Sequence, residues 1–255
     1  MRVVELGASG AAGSQLAQSL SSSGIDVVAA HRGSGVDAST GSGLPEAFAD
    51  ADIVVDCTNV ATTKRHVAEK FFGDVAAHVA DAATAAGVER IICLSIINAS
   101  TPEVNAHFGY YAGKARQEKV YRSRADAGSP PVSFLYSAQW FELAESMLSQ
   151  VRVGPVAFVP HMQIAPLAMR EAVGALAQMV GTESVGSEMN TDVSIAGPQR
   201  HDIVDLSRAI ADKRGEPSRV IGVNIGGKAL RNGGLLPSAG TVTATVTFDE
   251  WLAER

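Results

Sequence analysis

Short apolar runs alternate with stretches of helical spacing through the first half of the chain. The runs at Arg2–Leu6, Asp26–Ala30, Ile53–Cys57, Arg90–Leu94 and Val132–Tyr136 read as strands. Between them, apolar positions three and four apart predict helices over about Ala12–Ser22, Lys70–Ala86 and Tyr110–Ala127, with Gly87 placed as a C-cap for the second. Strand and helix in strict alternation are the signature of βαβ units and a parallel sheet. Only a brief helix near Leu44–Ala49 fits before Ile53, so the third strand of such a sheet is expected to be vestigial or replaced by the loop Gly33–Gly43.

The second half is less regular. It predicts a helix over Phe141–Val151, extended chain near Val156–Ile164, a helix over Arg170–Val180 and a strand at Asp192–Ala196, followed by a turn at Gly197-Pro198. Asp202 stands where it would N-cap a helix whose apolar positions Ile203, Leu206, Ala209 and Ile210 share a face, ending at Gly215 and Pro217. The expected fold is α/β, a Rossmann-type doubly wound parallel sheet with a small C-terminal substrate or lid subdomain. Its division is a dinucleotide-binding domain over 1–150, the sheet completed by about 190–215, and a substrate-binding remainder over 151–255. No internal repeat or low-complexity tract is visible.

Composition narrows the class. The 255 residues suffice for a substantial core, and 46% hydrophobic against 19% charged residues describes an ordinary globular chain. A net charge of -6 gives no complementarity to nucleic acid or to an anionic membrane surface. The opening MRVVELGASG is too short in apolar residues for a signal h-region, and no later run would span a bilayer. Cys57 and Cys93 lack metal or redox spacing and read as buried thiols in a reducing, cytoplasmic setting. Glu142, Glu145, Asp249 and Glu250 form no ligand pattern, so no metal is expected.

The chemistry begins at Gly7-Ala8-Ser9-Gly10-Ala11-Ala12-Gly13, which leaves the first strand and opens the first helix. Gly7 makes the exit, Gly10 admits backbone close to a diphosphate, and Gly13 permits tight helix-sheet contact. The anion would rest on free N–H groups at the helix N-terminus. At the end of the second strand, where an acidic residue would select NAD(H), the chain carries Ala30-His31-Arg32. The Arg32 guanidinium suits a 2′-phosphate, favouring NADP(H) over NAD(H). Asp37 either reaches the adenine amino group or caps a turn.

With these motifs the chain resembles the atypical short-chain dehydrogenase/reductases of the NmrA-like, NAD(P)H-binding kind. The resemblance rests on the glycine turn, Asp52–Asn59, Leu94-Ser95-Ile96, Tyr110-Tyr111-Ala112-Gly113-Lys114 with Gln117-Glu118, Gln139-Trp140-Phe141-Glu142, and Thr247–Leu252. It implies a cofactor across the strand carboxyl ends, with Thr58 and Asn59 beside Cys57 along the pyrophosphate-ribose stretch and Ser95 near the nicotinamide. It places Ser137, Ala138 and Gln139 beside the carboxamide and the substrate.

Tyr110 and Lys114 are four apart in a predicted helix and share a face, whereas Tyr111 lies about 100° around it. In the family's chemistry the lysine lowers the tyrosine's pKa and holds the ribose, while the phenol passes a proton to a carbonyl oxygen. The usual third member, a Ser or Thr just beyond Ser95, is replaced by Ile96 and Ile97, which cannot donate. Ser95, Asn98 or Ser100 then substitutes, or the pair only seats the cofactor, or it is an incidental surface pair. His107, Phe108, Trp140, Phe141 and His161 would border a substrate or serve the core. The leading expectation is an NAD(P)H-dependent oxidoreductase reducing a small carbonyl or quinone-like acceptor, and its alternative is an NmrA-like NADP(H) sensor without turnover. A sugar-nucleotide epimerase is disfavoured by the short second half, and no heptad seam indicates an oligomer.

Overall fold

A computed structural model describes residues 1–182 and 191–255. In chain order the elements begin β1 (Arg2–Leu6), α1 (Ala11–Ser22), β2 (Asp26–Ala30), α2 (Leu44–Ala47), β3 (Ile53–Asp56) and α3 (Arg65–Ala86). Next come β4 (Arg90–Ile96), α4 (Pro102–Asn105), α5 (Gly109–Asp126), β5 (Val132–Ser137), α6 (Phe141–Gln150), β6 (Arg152–Val153), β7 (Val156–Pro160) and β8 (Gln163–Ile164). The remainder comprises α7 (Met169–Gly181), β9 (Val193–Ala196), β10 (His201–Asp202), α8 (Ile203–Arg214), β11 (Arg219–Val223), α9 (Lys228–Arg231), β12 (Val242–Thr243) and α10 (Phe248–Ala253). A seven-stranded parallel sheet runs in the order β12-β9-β5-β4-β3-β1-β2, flanked by helices, which is the Rossmann-like α/β architecture.

Two compact units make up the described chain. The first contains Met1–Ser95, Phe108–Tyr136 and Val173–Val193. In it β1 pairs with β2 and β3 in parallel, placing Glu5 opposite Ala29 on one side and Val55 on the other. One face of these strands presents Val4, Leu6, Val54, Ile91 and Phe134 to Phe48, Val75, Val79 and Tyr121, all buried. A strand covered on both faces reads as continuous apolar sequence, which is why β3 and β4 carry few polar residues. As expected, a loop takes the place of a third strand between β2 and α2: a single 3-10 turn at Arg32–Ser34 and an isolated bridge between Asp37 and Ser42 occupy that stretch.

Helix α3 begins five residues ahead of the predicted start at Lys70. Its first turn holds an Arg65–Glu69 ion pair at 2.9 Å, a polar i,i+4 tie that apolar periodicity does not register. Gly87 ends it in the left-handed conformation, as expected. Helix α5 meets α3 closely at Gly113, where an added Cβ would stand 2.7 Å from Phe72 Cδ2 and 2.8 Å from Ala68 Cβ.

The second unit contains Ile96–His107, Ser137–Ala172 and Ser194–Arg255. Its three-stranded sheet runs β11-β7-β6, and a two-stranded one joins β10 to β8. Asp202 caps α8 through the Val204 N–H (3.0 Å) and also holds His161 Nδ1 at 2.7 Å, and Gly215 closes that helix. Thr247 and Glu250 form a capping box at α10, whose Phe248 and Trp251 rings pack 5.5 Å and 5.4 Å from that of Phe141. Asn98, at φ +59, donates from Nδ2 to the Gly234 and Leu236 carbonyls.

Candidate functional site

The glycine turn has the geometry its sequence calls for. Gly7 leaves β1 at φ +98, and a Cβ there would stand 2.8 Å from the Cys57 carbonyl oxygen. Gly10 donates to Gly7 O (2.7 Å) and enters α1 in extended conformation with no side-chain cap. The first regular helical bond is Ser14 N–H to Gly10 O, so the amides of Ala11, Ala12 and Gly13 open the helix without partners in it. A Cβ at Gly13 would come within 2.4 Å of Gly7 O and of Glu5 Oε1. Glycine here is thus a steric requirement. The result is an uncapped helix start with a positive dipole end and no side chain over it, which fits a diphosphate.

At the end of β2, His31 closes the following turn through its backbone: its N–H donates to Ser34 Oγ (3.0 Å), which donates to His31 O (2.8 Å). Arg32 is exposed and forms no ion pair among the described residues. Asp37 resolves one alternative of the sequence reading. Its Oδ1 accepts from Ser39 N–H (3.0 Å) and Ser39 Oγ (2.6 Å), so the carboxylate caps a turn.

Beyond β3, Cys57 is buried, Thr58 half-buried and Asn59 exposed. Burial pushes both Cys57 and Cys93 thiols up, away from the reactive thiolate. Thr58 is held by Asp56, whose Oδ1 accepts from Thr58 N–H (2.9 Å) and Oγ1 (2.6 Å). Asp56 Oδ2 accepts from Gln117 Nε2 (2.8 Å) and Tyr121 Oη (2.7 Å). The chain of bonds continues through Gln117 Oε1 to Lys114 Nζ (2.9 Å), which also donates to Leu94 O (2.9 Å). Lys114 is buried, with Nζ 4.5 Å from the Phe72 ring centroid.

Tyr110 packs edge-on against the same Phe72 ring at 5.6 Å and is half-buried. Burial raises its pKa and Lys114 partly opposes the rise, so the phenol carries its proton at neutral pH. Ser95 donates to Glu118 Oε1 at 2.5 Å deep in the unit. In the second unit, Ser137 Oγ donates to Ala138 O (2.8 Å) and accepts from Trp140 Nε1 (2.9 Å), and Gln139 is buried. The residues that sequence reasoning assigned no role are Glu5, Asp56, Gln117, Glu118 and Tyr121. A signal existed for four of them: 114, 117, 118 and 121 repeat at helical spacing, and Asp56 interrupts an apolar strand. No cluster of His, Cys, Asp or Glu that would hold a metal ion occurs among the described residues, and none of their helices is long and apolar enough to cross a membrane.

Comparison with known proteins gives the fold its class. No family model and no curated protein sequence matches the chain. Solved structures do. MoeE5 in complex with UDP-glucose and NAD is similar at TM-score 0.74 and 14% identity, over 99% of this chain and 96% of that one. The NADPH-dependent quinone oxidoreductase QOR2 of Escherichia coli, complexed with NADPH, aligns at TM-score 0.66 and 18% identity over 99% of each chain. The dTDP-4-dehydrorhamnose reductase of Bacillus anthracis str. Ames, with NADP, reaches TM-score 0.71 at 13% identity, over 99% and 97%. A short-chain dehydrogenase/reductase superfamily protein with bound NAD matches over 100% of this chain at TM-score 0.67. The fold is that of these proteins, each solved with NAD, NADP or NADPH, as the sequence motifs implied.

Proposed function

We propose that the chain is an NAD(P)H-dependent oxidoreductase of the atypical short-chain dehydrogenase/reductase type, favouring NADP(H) and reducing a small carbonyl or quinone-like acceptor. The observation that carries this reading is the uncapped start of α1 behind Gly7, where side chains added at Gly7 or Gly13 would collide with backbone. Solved neighbours with NAD, NADP and NADPH in their names support a dinucleotide there. With a dinucleotide's diphosphate held at the turn, its nicotinamide would supply the hydride.

The chain's own residues do the rest. Amides of residues 11 to 13 hold the diphosphate, and Thr58, oriented by Asp56, lines its flank. Arg32, exposed and without an ion pair among the described residues, would pair with a 2′-phosphate. Tyr110 keeps its proton at neutral pH and is the acid for the acceptor oxygen. Ser95, engaged by Glu118, is withdrawn from polarising that oxygen, which favours an acceptor that needs little such help, such as a quinone.

The test mixes purified protein with NADPH or NADH and a panel of quinones, aldehydes and a sugar nucleotide, following nicotinamide absorbance. Sustained oxidation is expected, falling by about a hundredfold or more in Tyr110→Phe with a carbonyl acceptor and little with a quinone. Arg32→Ala is expected to weaken NADPH by roughly tenfold or more with NADH unchanged. Tight binding with no turnover on any acceptor overturns the enzymatic reading, and equal losses for the two cofactors overturn the NADP(H) preference.

A further inference from the structure

Directly behind the glycine turn lies a carboxyl group that the proposed chemistry leaves unused. Glu5 is fully buried on β1, the strand next to the edge of the parallel sheet, between Ala29 of β2 and Val55 of β3. Neither of its oxygens finds a hydrogen-bond partner among the described residues. Its Oε1 is 2.4 Å from the point where a Gly13 Cβ would stand, a point equally close to the Gly7 carbonyl oxygen. The carboxyl therefore sits under the very amides that open α1.

Few groups face it. Helix α1 contains no ionisable residue, and the sole one in β2, Asp26, is exposed and pairs with Arg2 at 3.7 Å. From β3 and the residue after it come Asp56, already engaged by four donors, and the neutral Cys57 thiol. Among the described residues no cation stands near enough to hold Glu5 as a carboxylate, and an uncompensated buried charge is costly. Burial pushes its pKa up to about 8, the neighbouring Cys57 thiol opposes this in part, and Asp56 adds to it.

We propose that Glu5 makes dinucleotide binding proton-dependent: as a neutral acid it leaves the positive end of α1 unopposed, and as a carboxylate it sets a negative charge beneath the diphosphate. The inference rests on the reading of the turn as a dinucleotide site and adds its regulation. The site would release its cofactor in alkaline conditions through a residue that touches neither cofactor nor substrate.

The test is calorimetric titration of NADPH and NADH into the wild-type protein and Glu5→Gln, from about pH 7 to about pH 9, in two buffers of different ionisation enthalpy. If binding requires the protonated acid, Kd of the wild type rises by about tenfold per pH unit above the pKa of the free protein, with uptake approaching one proton. Glu5→Gln is expected to bind with a flat profile and no proton uptake assigned to this position. Parallel profiles in the two proteins, with binding intact, overturn the proposal and leave the dinucleotide reading standing. Absence of binding by both proteins at every pH overturns the dinucleotide reading itself, and this proposal with it. Should Glu5→Gln fail to fold, the wild type decides alone: binding without proton uptake above about pH 8 overturns the proposal.

Discussion

Two carboxyl groups on neighbouring strands are buried to the same extent and treated in opposite ways. Asp56, opposite Leu6 in register, lies on the sheet face covered by α5 and accepts four hydrogen bonds, from Thr58, Gln117 and Tyr121. Glu5, one residue earlier on β1, lies on the face covered by α1 and accepts none among the described residues. Burial alone therefore does not decide what an acidic side chain does; the donors supplied by the covering helix do. Helix α5 brings Lys114, Gln117 and Tyr121 to its sheet-facing side, whereas α1 brings Ala12, Gly13, Leu16 and Leu20. The first carboxylate becomes a fixed joint. The second becomes a group whose charge depends on the solution.

The comparison is broken most severely from the Asp56 side. Asp56→Ala leaves the Gln117, Tyr121 and Thr58 donors unpaired, at an expected cost of about 4 kcal/mol in urea unfolding. Glu5→Gln acts in the other direction. The unfolded chain ionises Glu5 near the ordinary value of 4.5 and the folded protein near 8, so between these values folding takes up a proton and stability falls as pH rises. Removing that titration is expected to stabilise the apoprotein by about 3 kcal/mol at neutral pH relative to its effect near pH 4, read from thermal melts across the range. A pH-independent difference between the two proteins would contradict the assignment. The smallest effect is that of Thr58→Val, which deletes one donor to Asp56 and leaves the backbone donor in place, costing about 1 kcal/mol and loosening the loop after β3.

Much of the first unit was legible because period and punctuation agree there. Gly7, Gly10 and Gly13 announce both the turn and the close contacts behind it, and Gly87 and Asp202 stand at helix ends where the structure uses them. The shared face of Tyr110 and Lys114 followed from helical spacing, and both meet the Phe72 ring. What spacing cannot supply is the far partner. Lys114 bonds to Leu94 O, Ser95 to Glu118, and Asp56 to a helix more than sixty residues later, all fixed by tertiary contacts of high sequence separation. Glu5 escaped notice for a related reason. In Arg2–Leu6 an acidic residue reads as the solvent-facing member of an edge strand, and only the pairing of β1 on both sides places it in the interior. Asp37 illustrates local competition: the nearest donors, on Ser39, capture the carboxylate that would otherwise face a ligand.

The packing of Phe141 against Phe248 and Trp251 bears on how the molecule is made. The second unit draws together three separate stretches, and the aromatic lock that closes it joins residues more than a hundred positions apart. During synthesis the ring of Phe141 must wait, uncovered, until α10 has left the ribosome, whereas β1, α1 and β2 can associate as soon as residue 30 is clear.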